Sequence, residues 1–467
     1  MIPIKVKDIA GAVKGRILSG DPETTISSIS LDSRSLKSGD FFIPIRGEHF
    51  DGHRFIPAAI AAGAAGFFTD SVDEAATGKL PDKNVVVVEV EDSGRAFNEL
   101  AGLVRSRLKA RVIGITGSTG KTTTKDILAA LTGESFNTLA SEKNYNNEIG
   151  TPLTLTKAKP ETEVLIVEMG MRGLGQIASL AGLARPEIGI VTNVGLTHLG
   201  PLGSKENIAA AKAELIEALP ASGYAILNAD DEWTPLLRRK TRAGVVTFGL
   251  SAGVDFGADD ITLDESARPR WRLLTSGRPG PVVQLNIPGR HNIVNALAAI
   301  AAATLIGVDI ETIAGGLGRV RLPEMRLTIA RSQAGATIIN DAYNANPASM
   351  AGALDTLVNV KPDARHIAVL GQMSELGEES FGAHKELGRL AAGLGVDRLV
   401  AVGASAQATA RSALAAGMAK AAVTWAPTNE AASSLLKDLV DPGDVVLVKG
   451  SRVAGMESIA DRLIREN

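Results

Sequence analysis

The run Thr116-Gly117-Ser118-Thr119-Gly120-Lys121-Thr122 has the residue types that hold a phosphate chain. It follows an apolar stretch, Val112 to Ile115, and precedes a segment of helical spacing that opens near Lys121. A strand, a Gly-rich turn and a helix N-terminus in that order form an anion cradle, because backbone N–H groups there point at phosphate oxygens. Gly117 and Gly120 let the backbone turn and approach closely. Lys121 brings a positive charge to the terminal phosphates, and the Thr122 hydroxyl can ligate Mg²⁺. The match to the longer G-x-x-x-x-G-K-[ST] pattern is incomplete, since Ile115 stands at its first Gly. The competing reading is an ordinary Gly-rich turn between strand and helix.

Other candidates lie at the ends of apolar runs. Glu168 ends the run Val164 to Val167, where open α/β sheets bind ligands. A carboxylate there can serve Mg²⁺, which takes one or two carboxylates plus phosphates and water; a surface acid or helix cap is the alternative. Lys449-Gly450-Ser451-Arg452 follows the run Val445 to Val448. A basic pair at such an edge suits a substrate carboxylate, or is a plain surface pair. Asn144-Tyr145-Asn146-Asn147 reads locally as a polar turn, and Asn292 as a helix cap.

These residues need elements to position them, and the chain divides into three blocks. Residues 1–109 carry short apolar runs, Phe41 to Ile45, Ala64 to Phe68 and Val85 to Val90, and read as a small α/β domain. A helix from about Gly94 to Leu108 leads out of it. Residues 110–318 alternate strand and helix: strands at Val112 to Ile115, Val164 to Val167, Ile188 to Val191 and Ala225 to Leu227, with helical spacing over Asn207 to Leu219. That alternation predicts a parallel sheet with helices on its faces, and the phosphate loop within it makes this block the candidate ATPase domain. Between 259 and 287 short alternating runs predict a small antiparallel patch, and an Ala-rich helix follows from about Asn292 to Ile306. Residues 319–467 predict a Rossmann-like domain, with strands at Ile338 to Asn340, Ile367 to Leu370, Leu399 to Val402 and Val445 to Val448. Helical stretches such as Phe381 to Ala392 and Asn429 to Leu439 separate them.

Composition bounds the partners. The 467 residues carry a net charge of only −3, which argues against bulk attraction to nucleic acid or to an anionic membrane. There is no Cys, hence no disulfide, thiol nucleophile or thiolate metal site. Lys5, Lys7 and Asp8 interrupt the N-terminal apolar run, a poor signal peptide, and the longest apolar stretch, Ala296 to Val308, is too short to span a bilayer. A cytoplasmic location without membrane insertion is expected.

The phosphate loop, Glu168-Met169-Gly170, Thr192-Asn193-Val194-Gly195 with His198, Ala211-Lys212-Ala213-Glu214 and Gly289-Arg290-His291-Asn292 occur in one order. This set resembles the Mur ligases of bacterial cell-wall synthesis, over nearly the whole chain. Two further segments are similar to the branch that adds D-alanyl-D-alanine to UDP-N-acetylmuramoyl-tripeptide. One is Asp32-Ser33-Arg34 followed by Gly47-Glu48-His49-Phe50-Asp51-Gly52-His53; the other is Asp341-Ala342-Tyr343-Asn344-Ala345-Asn346-Pro347-Ala348-Ser349-Met350.

The resemblance implies UDP-substrate, ATP-binding and closing domains in that order, with ATP and Mg²⁺ as cofactors. It implies UDP-N-acetylmuramoyl-tripeptide and D-alanyl-D-alanine as partners, and a monomer is expected. Lys121, Lys212 and His198 become the catalytic residues. The nucleotide falls to Thr116 through Thr122 and Thr123, to Asn292 and Asn295 near the adenine, to Arg326, and to Asp341 on the ribose hydroxyls. Mg²⁺ falls to Thr122, Glu168, His198 and a carbamylated Lys212, and carbamylation requires a neutral amine, so that site must depress the lysine pKa. Ser33 and Arg34 match residues on the UDP part, and Asn144, Asn146 and Asn147 match residues on the muramoyl-peptide. Tyr343, Asn344, Asn346, Lys449, Ser451 and Arg452 complete the substrate set. One departure is visible: a Gly commonly precedes the Arg that opens the third domain, and here Met325 precedes Arg326. The rival readings are the diaminopimelate- or lysine-adding member of the family and, from another class, a nucleotide-switch P-loop NTPase, which leaves Lys212 and the Asp341 segment unexplained.

Overall fold

The computed structural model describes residues 1–47, 50–70, 84–197 and 199–466. The chain forms two compact units. The first holds Met1–Gly114, Phe136–Met169 and Ala178–Pro186. Its five-stranded sheet runs Arg16–Ser19, Val86–Glu89, Gly66–Thr69, Phe41–Phe42, Ile29–Ser30, with only the first pair antiparallel. Phe41 and Phe68 meet edge to face at 4.9 Å and join Phe97 and Leu100 of helix Ser93–Arg107 in one core. That helix starts where Asp92 accepts the Arg95 N–H at 2.6 Å, an N-cap worth about 1 kcal/mol. A parallel pair, Thr138–Ala140 with Val164–Glu168, belongs to the same unit.

The second unit holds Ile115–Ser135, Gly170–Ile177 and Glu187–Asn467. Strands Ile188–Val191, Tyr224–Asn228 and Gly244–Phe248 pair in parallel. The patch expected over 259–287 is an antiparallel meander of Phe256–Leu263, Pro269–Thr275 and Arg278–Gln284. Helix Asn292–Leu305 is buried almost throughout and packs on helix Lys121–Gly133, the helix that opens at the phosphate loop.

Six strands form the other sheet of this unit, in the order Thr328–Arg331, Thr337–Asn340, Val445–Lys449, His366–Leu370, Arg398–Val402, Val423–Ala426, parallel apart from the first pair. Side chains alternate across a strand, so a strand covered on both faces must be apolar at every position. Val445 and Leu447 enter one core with Ile339 and Leu370; Val446 and Val448 enter the opposite one with Ile338 and Val369. This doubly wound sheet is the Rossmann-like architecture expected of the third block. Among the described residues, no helix is long and apolar enough to cross a membrane.

Candidate active site

Strand Arg111–Thr116 leads into the phosphate loop, which Thr192 and Asn193 hold from the side. The Thr192 hydroxyl donates to the Thr119 carbonyl at 2.5 Å, and the Asn193 amide grips Thr119 at its N–H, carbonyl and hydroxyl, at 3.0, 3.1 and 2.9 Å. Ser118 exchanges two hydrogen bonds with Gly195, at 2.8 and 2.9 Å. Gly117 sits at φ 148° and Gly120 at φ 78°, conformations that favour glycine. A Cβ at Gly117 would lie 1.8 Å from Thr192 Oγ1, and one at Gly120 2.2 Å from Asn295 Oδ1. Helix Lys121–Gly133 has no side-chain cap at its start. Its first-turn N–H groups, which a helix cannot satisfy internally, are therefore free of a capping side chain and suited to an anion. Lys121 Nζ donates to the Gly117 carbonyl at 2.6 Å, arched over the loop.

Lys212 lies on helix Lys205–Glu217 and is 1% exposed. Burial, with the positive charge of Lys121 nearby, pushes its pKa well below the ordinary lysine value, and Asp231 opposes the shift. A neutral amine is what carbamylation requires. Asp231 also accepts the Val194 N–H at 2.6 Å and the Trp233 N–H at 2.9 Å, so it ties the loop after strand Ile188–Val191 to the surroundings of Lys212. Sequence reasoning passed over Asp231, although the acidic pair after strand Tyr224–Asn228 marks a sheet edge.

Glu168 is 2% exposed at the end of its strand. Its Oε1 accepts the Asn146 amide at 2.7 Å, while Oε2 is buried without a hydrogen-bond partner among the described residues. A bare buried carboxylate oxygen calls for a cation, and Mg²⁺ fits that donor. Among the described residues no three His, Asp or Glu cluster as a metal cage. Asn146, expected on the substrate, also orients Glu168. Partners of this kind typically carry about 10- to 100-fold in metal affinity. Asn146→Ala is therefore expected to raise the Mg²⁺ concentration for half-maximal activity about tenfold; an unchanged Mg²⁺ titration would remove Asn146 from this role. Asn147 Oδ1 accepts the Gly150 N–H at 2.9 Å at the start of helix Gly150–Thr156, and Asn144 is exposed. His198, expected on the metal, and Glu48 and His49 of the first-block motif lie outside the described residues.

Asn292 and Asn295 pair with each other at 2.9 Å, and Asn292 anchors to the Pro288 carbonyl at 2.7 Å, which sets Asn295 against Gly120. Arg326 stacks over the Tyr343 ring at 4.1 Å and donates to the Thr122 hydroxyl at 3.3 Å. It is flanked by Met325 at φ 62° and Leu327 at φ 49°. The first is the left-handed conformation that a Gly adopts freely and that costs another residue about 1–2 kcal/mol. Met325 therefore holds this conformation at a cost that the Gly implied by the resemblance would not bear.

Asp341 and Lys449 meet at 2.5 Å, and Lys449 Nζ also reaches the Asn344 carbonyl at 2.9 Å. The other Asp341 oxygen accepts the Leu327 N–H at 3.1 Å. Lys449, expected on a substrate carboxylate, is 3% exposed and forms an internal strut. Asn346 caps helix Pro347–Asn359 in a reciprocal pair with Ser349, which leaves Asn344 as the exposed amide of that segment. Ser451 is buried, and Arg452 is exposed in an ion pair with Glu457 at 3.0 Å. In the first unit, Arg34 is exposed and grips its own neighbour Asp32 through two bonds of 2.9 and 2.7 Å, which draws the Asp32 carboxyl down to about 2; Ser33 beside it is half-buried.

Three family models match the chain in succession: the Mur ligase family catalytic domain over residues 25–105, the Mur ligase middle domain over 115–303, and the Mur ligase glutamate ligase domain over 325–452. UDP-N-acetylmuramoyl-tripeptide--D-alanyl-D-alanine ligase of Mycobacterium tuberculosis is 38% identical over 505 aligned positions, covering 100% of this chain and 99% of that one. The crystal structure of MurF from Acinetobacter baumannii superposes with a TM-score of 0.88 at 30% identity, covering 99% of both chains. MurF ligase from Thermotoga maritima in complex with ADP superposes at 0.80 and 26% identity, covering 94% of this chain and 97% of that one. On full-length likeness and on the three successive domain matches, the chain belongs to the Mur ligase family.

Proposed function

We infer that this enzyme joins D-alanyl-D-alanine to the tripeptide carboxylate of UDP-N-acetylmuramoyl-tripeptide, using ATP, in peptidoglycan precursor synthesis. The observation that carries the reading is likeness along the whole length to ligases of that name, which extends through the Asp341 to Met350 segment. In the first step the γ-phosphoryl group passes from ATP to the tripeptide carboxylate and forms an acyl phosphate. The dipeptide amine then attacks the acyl carbon, the C–N bond forms, and phosphate leaves. Phosphoryl transfer is chiefly positioning and charge neutralisation. Lys121 and the uncapped helix start supply donors at the phosphates, and Arg326 adds a guanidinium beside Thr122. Bound Mg²⁺, served by Glu168, would neutralise further phosphate charge. A carbamylated Lys212 would present an anionic oxygen to a second ion. We assign residues 1–109 to the UDP-substrate, 110–318 to ATP and 319–467 to closure and the amine substrate, and place the enzyme in the cytoplasm as a monomer.

The amine substrate is the sharpest test. A dipeptide brings one amine, one amide and one carboxylate. A site built for that peptide unit leaves polar groups unpaired when a single amino acid enters, and diaminopimelate brings extra charges to desolvate. With dipeptide and diaminopimelate offered together, the dipeptide is expected in the UDP-linked product, read by mass. Incorporation of diaminopimelate in its place would overturn the amine assignment and leave family membership intact.

A further inference from the structure

His384 takes no part in the chemistry above, yet its side chain is fully buried on helix Ser380–Gly393. Its Nδ1 lies 2.7 Å from the Ser380 carbonyl. A carbonyl only accepts, so Nδ1 carries the proton. Its Nε2 lies 3.2 Å from the Met373 backbone nitrogen. That N–H only donates, so Nε2 presents a lone pair. Burial holds the pKa below the ordinary histidine value, and the Ser380 bond opposes the shift. Two fixed partners thus select one neutral tautomer.

What the lone pair holds is the loop 371–376, which leaves strand His366–Leu370. Gly371 N–H donates to the Lys449 carbonyl at 2.8 Å, and Ser451 N–H donates to the Gln372 carbonyl at 2.9 Å. The Ser374 hydroxyl donates to that of Ser451 at 2.9 Å. Met373 and Leu376 are the buried residues of the loop, and Glu375 takes a left-handed turn at φ 64°. A Cβ at Gly371 would come within 3.4 Å of Gly450 Cα, so the two segments touch. Leu370 and Lys449 are paired neighbours in adjacent parallel strands. The loops that follow them form one ledge at the C-terminal edge of the sheet, where ligands of such sheets bind.

We propose that His384 is a positioning residue for the amine substrate: its Nε2 holds the Met373 N–H and thereby fixes the half-buried Ser374, braced from behind by the buried Ser451, as the point on the ledge where the dipeptide docks. The proposal rests on the dipeptide reading given above. Its test compares His384→Leu, which fills the space without an acceptor, with His384→Gln, which puts a carbonyl oxygen near the place of Nε2. In the full-length His384→Leu enzyme, KM for D-alanyl-D-alanine is expected to rise about tenfold, the scale of one lost buried hydrogen bond. KM for ATP and for the UDP-linked tripeptide is expected to hold, and His384→Gln to stay near the parent. A common rise in all three KM values, a fall in kcat alone, or a His384→Gln enzyme as poor as His384→Leu would overturn the role. If His384→Leu does not fold, hydrogen exchange at the Met373 amide decides: protection in the parent and in His384→Gln supports the proposal, and fast exchange in the parent ends it. Turnover of the parent with the dipeptide tests the ligase reading separately. If the parent uses another amine, the same KM split is read on that amine.

Discussion

Lys121→Ala is expected to lower ligation by at least about 10²- to 10³-fold in kcat, the scale for removing one preorganised donor from a charged transition state. Lys121 is the charged side chain arched over the loop, and its ammonium rests on the Gly117 carbonyl. In the loaded site it would turn from that carbonyl to the phosphates. The substitution leaves the helix intact, because Ala is the better helix former and the Asn193 and Thr192 bonds hold the loop without it. Stability should therefore change by no more than about 1 kcal/mol, as for substitutions outside a core. Turnover with ATP saturating, together with a thermal melt, checks both halves. Retention of a tenth of the parent rate by a folded variant would remove Lys121 from catalysis.

The second large effect is at Lys212. Lys212→Ala is expected to be inactive and partly restored by small carboxylates such as formate or acetate, which can stand where the carbamate oxygens would be. Full activity without additive would refute the role. The two lysines are coupled, since the charge of Lys121 is the second cause, after burial, of the low Lys212 pKa. A pH measurement separates the chemistry from the fold. The folded-state pKa of an unmodified Lys212 is depressed, so between that value and the ordinary lysine value the unfolded chain holds a proton that the folded chain lacks. Stability contributed by this site then rises with pH across that window, and the rise disappears in Lys212→Ala. If parent and variant show the same pH slope of stability, Lys212 does not titrate there as a free amine.

Buried strands were legible because sheets covered on both faces demand unbroken apolar runs, as at Val164–Glu168 and Val445–Lys449. Strands that lack such a run escaped. Thr328–Arg331 and Val423–Ala426 lie at the two sheet edges and are only partly buried, while Gly244–Phe248 buries only its last residue fully. The phosphate loop was legible because its chemistry is local in sequence. The supporting bonds were not. Asn193 to Thr119, Asp231 to Val194 and His384 to Met373 join residues whose spacing carries no pattern. The partners that hold Asn146 and Lys449, Glu168 and Asp341, were not legible either.

Gly117 and Gly120 are closed to any side chain from two directions, one by Thr192 and the other by Asn295. Replacing either glycine requires that a second residue move with it, and those residues are themselves fastened: Thr192 to Thr119 and Asn295 to Asn292. The phosphate cradle is therefore a surface that single substitutions cannot reshape. An inhibitor that takes its affinity from this stretch of backbone would meet a target with little room to escape by point mutation.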